Sequence, residues 1–283
     1  MKFKVFSELQ YSVNMPTTFI FNIQVARTAR QVILEENLIV DPFIQTEQYN
    51  ALNSDGRFIK LYVNNPGNFS ISYSATVDLQ YNIFNPEQLL QTTPIAKMDA
   101  ETIPYLFPSR YCQSDKLQRL AYKEFGGIQN TYAQVSAIAD WIYKNVEYLS
   151  GSTDGSTSAY DTLTERAGVC RDFAHLGIAL CRALSIPARY FTGYAYNLNP
   201  PDFHACFEAN IGGEWIFFDP THLVPVNGLV KISNGRDAAD AAVASIFGAT
   251  VCTSMIVKCE SVAPSFSPIY SNNHEKEKGL SYQ

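Results

Sequence analysis

The first 98 residues contain neither cysteine nor histidine, which excludes thiol and imidazole chemistry from that third of the chain. Nowhere among the 283 residues is there a run of about 18 apolar positions, so no transmembrane helix is expected. The opening MKFKVFSELQYSVN breaks every apolar run before it reaches the length of a signal-peptide core, and a cytoplasmic protein beginning at Met1 is expected. Basic runs are missing too. With 21 Lys+Arg against 27 Asp+Glu, a net charge of -6 and a pI near 5.3, neither a nucleic-acid backbone nor an anionic membrane is an expected partner. The six cysteines, Cys112, Cys170, Cys181, Cys206, Cys252 and Cys259, lack CxxC spacing, and read as reduced thiols, neither a disulfide frame nor a zinc site. His175, His204, His222 and His274 are the only histidines, too few and too scattered for a usual zinc ligand set. No acidic loop of calcium-binding spacing and no Gly-rich phosphate loop occurs, so no metal or cofactor is expected.

What is present is a folded chain of 46% hydrophobic and 17% charged residues with mean hydropathy -0.10, long enough for two domains. FKVFSELQYSV, TTFIFNIQVA, QVILEENLIV, RFIKLYVNN and FSISYSATVDLQYNIF are rich in β-branched and aromatic residues and predict a sandwich of about six strands over 1–98. A proline-bearing connection, TTPIAKMDAETIPYLFP, follows. A second domain is expected over 99–262 and a polar, fraying tail over 263–283. Within that second domain, Val135, Ile138, Ala139, Ile142 and Val146 recur at helical spacing. The loop GSTDGSTS precedes a short helix that Thr162 and Glu165 would cap and Gly168 would stop. VCRDFAHLGIALCRALSIP then predicts a buried helix with Cys170 in its first turn, and FHACFEANIGGEWIFFDPTH a hairpin turning at Gly212-Gly213. VCTSMIVKCE is read as the second domain's last strand.

A cysteine at a helix N-terminus meets unpaired backbone N–H groups and the positive end of the helix dipole, which favour its thiolate. If Gly212-Gly213 is the turn, His204 lies opposite Thr221 and diagonal to Asp219 on one sheet face. The diagonal is roughly 7 to 8 Å between Cα atoms, within reach of a carboxylate that orients an imidazole. In that reading Asp219 holds Nδ1–H and leaves Nε2 for Cys170. A plain alternative is that His204 and Asp219 merely finish their strands.

The phrases GVCRDF, DFHACFE and EWIFFDPTH, in that order, resemble the transglutaminase-like superfamily, and the match is nearest to its bacterial branch, where a β-rich domain precedes the catalytic one. TSAYDTLTERAGVCRDFAHLGIALCRALSIPARYFTGY and NGRDAADAA support it, over about residues 100 to 250. The resemblance implies an α+β architecture, with an N-terminal β-sandwich-like domain followed by a papain-like catalytic domain whose Cys-bearing helix packs on an antiparallel sheet. It also implies Cys170 as nucleophile, His204 as base and acid, and Asp219 as orienting carboxylate.

The expected reaction is hydrolysis of a peptide or isopeptide amide through a thioacyl-enzyme. Acyl transfer to an amine is the alternative, either protein cross-linking or amine N-acylation, and a non-catalytic interaction module is a second one. For the oxyanion, the backbone N–H of Cys170 is one expected donor. Tyr148, or a hydroxyl of the 150–158 loop, is the candidate for the other. His175 is expected to be exposed or hydrogen-bonded in the core, Cys206 to be a small spacer, Arg171 and Asp172 to be structural, and His222 to have no required role. Substrate and oligomeric state are not legible.

Overall fold

A computed structural model describes residues 1–52, 54–89, 93–262, 265–270 and 278–283. The N-terminal part contributes β1 (Lys2–Val13), β2 (Thr17–Phe21), β3 (Gln31–Asp41), β4 (Thr46–Asn50), β5 (Arg57–Val63), β6 (Gly67–Leu79) and β7 (Asn82–Phe84). In β1 the odd residues Phe3, Val5, Leu9, Tyr11 and Val13 are buried while their neighbours face outward, the period-2 pattern of a half-buried strand.

The middle of the chain is α1 (Ser114–Phe125), α2 (Thr131–Asn145), β8 (Glu147–Tyr148), α3 (Ala159–Glu165), β9 (Ala167–Gly168) and α4 (Cys170–Ala183). Four strands follow: β10 (Ala188–Ala195), β11 (Phe203–Ile211), β12 (Glu214–Phe218) and β13 (Leu229–Gly235). The last elements are α5 (Ala238–Ala241), β14 (Ala244–Phe247), β15 (Thr250–Ser261) and β16 (Gly279–Ser281). The result is the expected α+β architecture of a β-sandwich and a Cys-bearing helix on an antiparallel sheet, β12-β11-β10-β13.

Sheet membership divides the chain differently from the linear ranges 1–98, 99–262 and 263–283. The sandwich consists of sheets β15-β1-β6-β3 and β14-β2-β5-β4, so β14 and β15 return from the chain's far end to edge the N-terminal sheets. VCTSMIVKCE is a strand, as read, but it pairs with β1. The end of the expected tail is also held: β16 pairs with β7, and Leu280 and Tyr282 are buried, while 263–264 and 271–277 lie outside the described residues. Pairing partners of this kind are set by long-range burial, which linear composition does not encode.

The four-stranded sheet β12-β11-β10-β13 is covered on both faces. One face carries Ala205, Phe207, Ala209 and Ile216 against α4. From the other, Phe191, Cys206, Phe217 and Ile232 join the sandwich core. Helix α4 is buried at every position from Asp172 to Ala183, as a helix enclosed on all sides must be. Gly177 brings it down onto the sheet, because an added Cβ would stand 2.6 Å from the Phe207 ring.

Candidate active site

Helix α4 begins at Cys170 because the backbone before it is extended and Asp172 caps the first turn, its Oδ2 accepting the Val169 N–H at 2.9 Å. Asp172 is fully buried and further held by the Arg171 guanidinium and the Thr153 hydroxyl. The structural reading of Arg171 and Asp172 therefore holds. Ahead of it, α3 starts one turn earlier than read. Its capping residues are Ser158 and Asp161, and Thr162 is an interior residue whose hydroxyl bonds back to the Ser158 carbonyl. It ends at Arg166, with φ 59°, before Gly168 is reached. Both differences have one cause, since two Ser/Thr-x-x-Asp/Glu patterns, Ser158–Asp161 and Thr162–Glu165, follow one another directly and only packing chooses between them.

The hairpin turns at Gly212 and Gly213, with φ of 65° and 93°, a pair of positive values that glycine adopts without strain. Its register, Phe207 opposite Phe218 and Ile211 opposite Glu214, is the expected one and brings Asp219 diagonally to His204. His204 Nε2 and Asp219 Oδ2 are 3.2 Å apart, and both side chains are fully buried. Asp219 Oδ1 accepts the Thr221 N–H at 2.9 Å and its hydroxyl at 2.7 Å.

The ring is turned the other way from the sequence reading: Nε2, not Nδ1, meets Asp219. Spanning a diagonal takes the far nitrogen of the imidazole. Among the described residues Nδ1 has no hydrogen-bond partner, and the Cys170 thiol is near enough to act on the ring. Open geometry of this kind is usual before substrate binds.

Burial works against a charged His204. The adjoining Cys206 and Asp219, the hydrogen bond to Asp219 and the nearby Cys170 thiol outweigh it and hold the imidazole well above its ordinary value. Burial also pushes the Cys206 thiol up, so Cys206 is a neutral neighbour and Asp219 supplies the negative charge. Burial opposes ionisation of Asp219 in turn, but His204 and Thr221 keep its carboxyl below the ordinary range. Of the six thiols, burial pushes Cys112 up to about 12 and raises Cys181 and Cys259 as well. Cys170 is half-buried and Cys252 exposed.

Tyr148 is brought to the site by a two-residue parallel bridge in which it pairs with Gly168. Burial and the Cys170 thiol push its phenol up to about 12, while the Cys170 backbone N–H and His204 act the other way. The phenol is thus a proton-bearing neighbour of the thiol. His175 instead belongs to the core. Its Nε2 accepts the Ala238 N–H at 3.1 Å, the ring stacks on Tyr111, and burial lowers it to about 3. His222 stacks on Tyr143 at 4.3 Å; it lines a pocket behind Asp219.

Cys206 shares this face as a small buried neighbour, and the donor atoms of His204, Cys206 and Asp219 lie within 4.8 Å of one another. Among the described residues this is the group compact enough for a metal ion, but the His204–Asp219 hydrogen bond already uses two of its donors. The parity of His204 and Cys206 on one strand was its only sequence signal. Asp202 was missed altogether. It lies beside His204 in the cleft, with burial raising its carboxyl, and nothing in its Pro-Pro-Asp setting marks it.

Two family models match the chain: "Bacterial transglutaminase, N-terminal domain" over residues 1–101 and "Transglutaminase-like superfamily" over 118–220. A crystal structure from Cytophaga hutchinsonii, described as that of a candidate cysteine protease, is similar over the whole length, at 62% identity and TM-score 0.96, covering 100% of this chain and 98% of that one. An uncharacterised protein of Mycobacterium leprae is 34% identical over 117 residues, 38% of this chain and 42% of that protein. One from Mycobacterium tuberculosis is 36% identical over 119 residues, 36% of this chain and 38% of that protein. The similarity thus spans under half the length of these mycobacterial relatives.

Proposed function

Because the chain belongs to the transglutaminase-like superfamily, we propose that it is a cysteine hydrolase of peptide or isopeptide amides, with Cys170 as nucleophile, His204 as acid and base, and Asp219 as the carboxylate that orients His204. The observation that carries this reading is the half-buried thiol at the start of a buried helix, beside an imidazole whose far nitrogen is held by a buried carboxylate.

The Cys170 sulfur attacks the amide carbonyl carbon, forming a C–S bond while the C=O electron pair moves onto oxygen. The Cys170 N–H and the Tyr148 hydroxyl donate to that oxyanion. His204 Nδ1 delivers a proton to the amide nitrogen, the C–N bond breaks, and an amine leaves a thioester on Cys170. Water then attacks the thioester, giving a proton to His204, and collapse expels the thiolate and frees a carboxylic acid. An amine taking the place of water would complete acyl transfer by the same path.

No helix among the described residues is long and apolar enough to cross a membrane. All six cysteines are unpaired, and a thiol nucleophile must stay reduced, which suits the cytoplasm. Cell fractionation tests that placement.

The enzymatic reading is tested by the pH dependence of iodoacetamide alkylation at each cysteine, mapped by mass spectrometry. Cys170 is expected to react faster than exposed Cys252 at pH 6, and to lose that advantage in His204→Ala. If Cys170 shows no advantage and ignores the His204 change, the protein is a binding module or a gated enzyme. A positive result directs a screen of peptides, isopeptides and amine acceptors.

A further inference from the structure

The cleft at Cys170 measures about 540 Å³, a size that admits a short stretch of chain and not a folded surface. One side carries Cys170 and His204, flanked by Arg171 and Tyr190; the other belongs to the β-sandwich and includes Leu9, Tyr11, Val243, Ala244, Cys252 and Met255. Leu9 and Tyr11 are fixed by the sandwich core, and in the β1–β15 register Met255 stands opposite Leu9 and Cys252 opposite Tyr11. The segment from α5 through β14 to the start of β15 passes from the edge of one sandwich sheet to the edge of the other. It thereby closes the cleft with side chains that are small or apolar. This returning segment lies outside both stretches matched by family models, which end at residues 101 and 220.

Charge in the cleft lies on the Cys170 side: Arg171 is committed to Asp172 and to the Asp154 carbonyl, and Asp202 sits beside His204. Among the described residues the sandwich wall carries no ionised side chain. A charged substrate group brought against this wall would lose water without gaining a partner. Met255, 42% exposed, is an unbranched and adaptable thioether suited to apolar side chains of several shapes.

We propose that the returning segment and β1 form the selecting wall of the Cys170 cleft, and that this wall accepts an extended peptide carrying an uncharged, apolar side chain next to the amide attacked. The assignment rests on the cysteine-enzyme reading above. Its test uses the full chain and peptidyl chloromethyl ketones with Leu, Asp or Lys beside the reactive carbon, alongside iodoacetamide, which carries no side chain. The Leu probe is expected to label Cys170 about tenfold faster than the Asp and Lys probes, the scale of a single side-chain discrimination. Met255→Asp should raise the Lys-to-Asp rate ratio and Met255→Lys should lower it, each about tenfold, a ratio that a general loss of reactivity leaves in place. Equal rates for the three probes, or a ratio indifferent to both charges at 255, overturn the wall while iodoacetamide still marks Cys170 as activated. Failure of iodoacetamide to distinguish Cys170 overturns the underlying enzyme reading instead.

Discussion

Strand β11 carries two buried polar centres on one face, four residues apart, and they are built to opposite ends. At His204, the imidazole has a carboxylate on one nitrogen and an unfilled position on the other, facing a thiol and a cleft. At Glu208, Arg189 Nε donates at 2.6 Å from the neighbouring strand, Lys231 Nζ lies at 3.8 Å, and Lys231 meets Asp55 of the sandwich at 2.7 Å. Two cations and two anions balance there, and the Trp215 ring stacks on Arg189 at 4.1 Å. Burial and charge are common to both centres. What separates them is an open position that reaches a cleft: the role proposed for the first is to pass a proton to something that arrives, whereas the second joins the sheet β12-β11-β10-β13 to the sandwich.

The largest effect expected from breaking this contrast is in Glu208→Ala. It leaves Arg189 and Lys231 buried with half their counter-charge, at a cost of about 3–5 kcal/mol in urea denaturation, while the folded variant keeps its Cys170 alkylation profile. A loss below about 1 kcal/mol would show that the network is dispensable.

Asp219→Asn should do the reverse. Cys170 alkylation at pH 6 is expected to fall on the order of 100-fold, the usual scale for a disabled acid–base group, with a smaller stability change than Glu208→Ala. A variant that unfolds as readily as Glu208→Ala but retains labelling would make Asp219 structural.

A subtler expectation separates two histidines. His175 is lowered by burial to about 3 from 6.5, so the unfolded chain takes up its proton first and stability is lost as pH falls below 6.5, by about 1.4 kcal/mol per pH unit. His204 has the opposite sign, because its raised value gives stability that is present at low pH and lost as pH rises through that value. His175→Gln, which can still accept the Ala238 N–H, should flatten the acid side of the wild-type stability curve. Identical curves from pH 7 to 5 would contradict the buried, neutral assignment.

The site was legible to the extent that it is local. Cys170 heads a helix whose apolar periodicity and Pro187 stop are visible in sequence, and Gly212-Gly213 fixes a two-residue hairpin whose parity brings His204 to Asp219. Ring orientation was not legible, because it depends on which nitrogen spans the diagonal. Tyr148 could be named but not placed, since a two-residue bridge to Gly168 brings it 20 positions along the chain. The cleft wall at Met255 had no signal at all: its strand looks like any other, and only pairing with β1 turns it toward Cys170.

By itself, the sequence determined the strand-rich start, the Cys-bearing helix and the hairpin, because backbone propensity, alternation and turn chemistry act over a few residues. Tertiary structure decided which strands edge the sandwich, which nitrogen of His204 meets Asp219, and what stands across the cleft from the thiol. Those outcomes come from burying surfaces contributed by distant segments, and burial depends on where the chain has been brought in space, not on its neighbours in sequence.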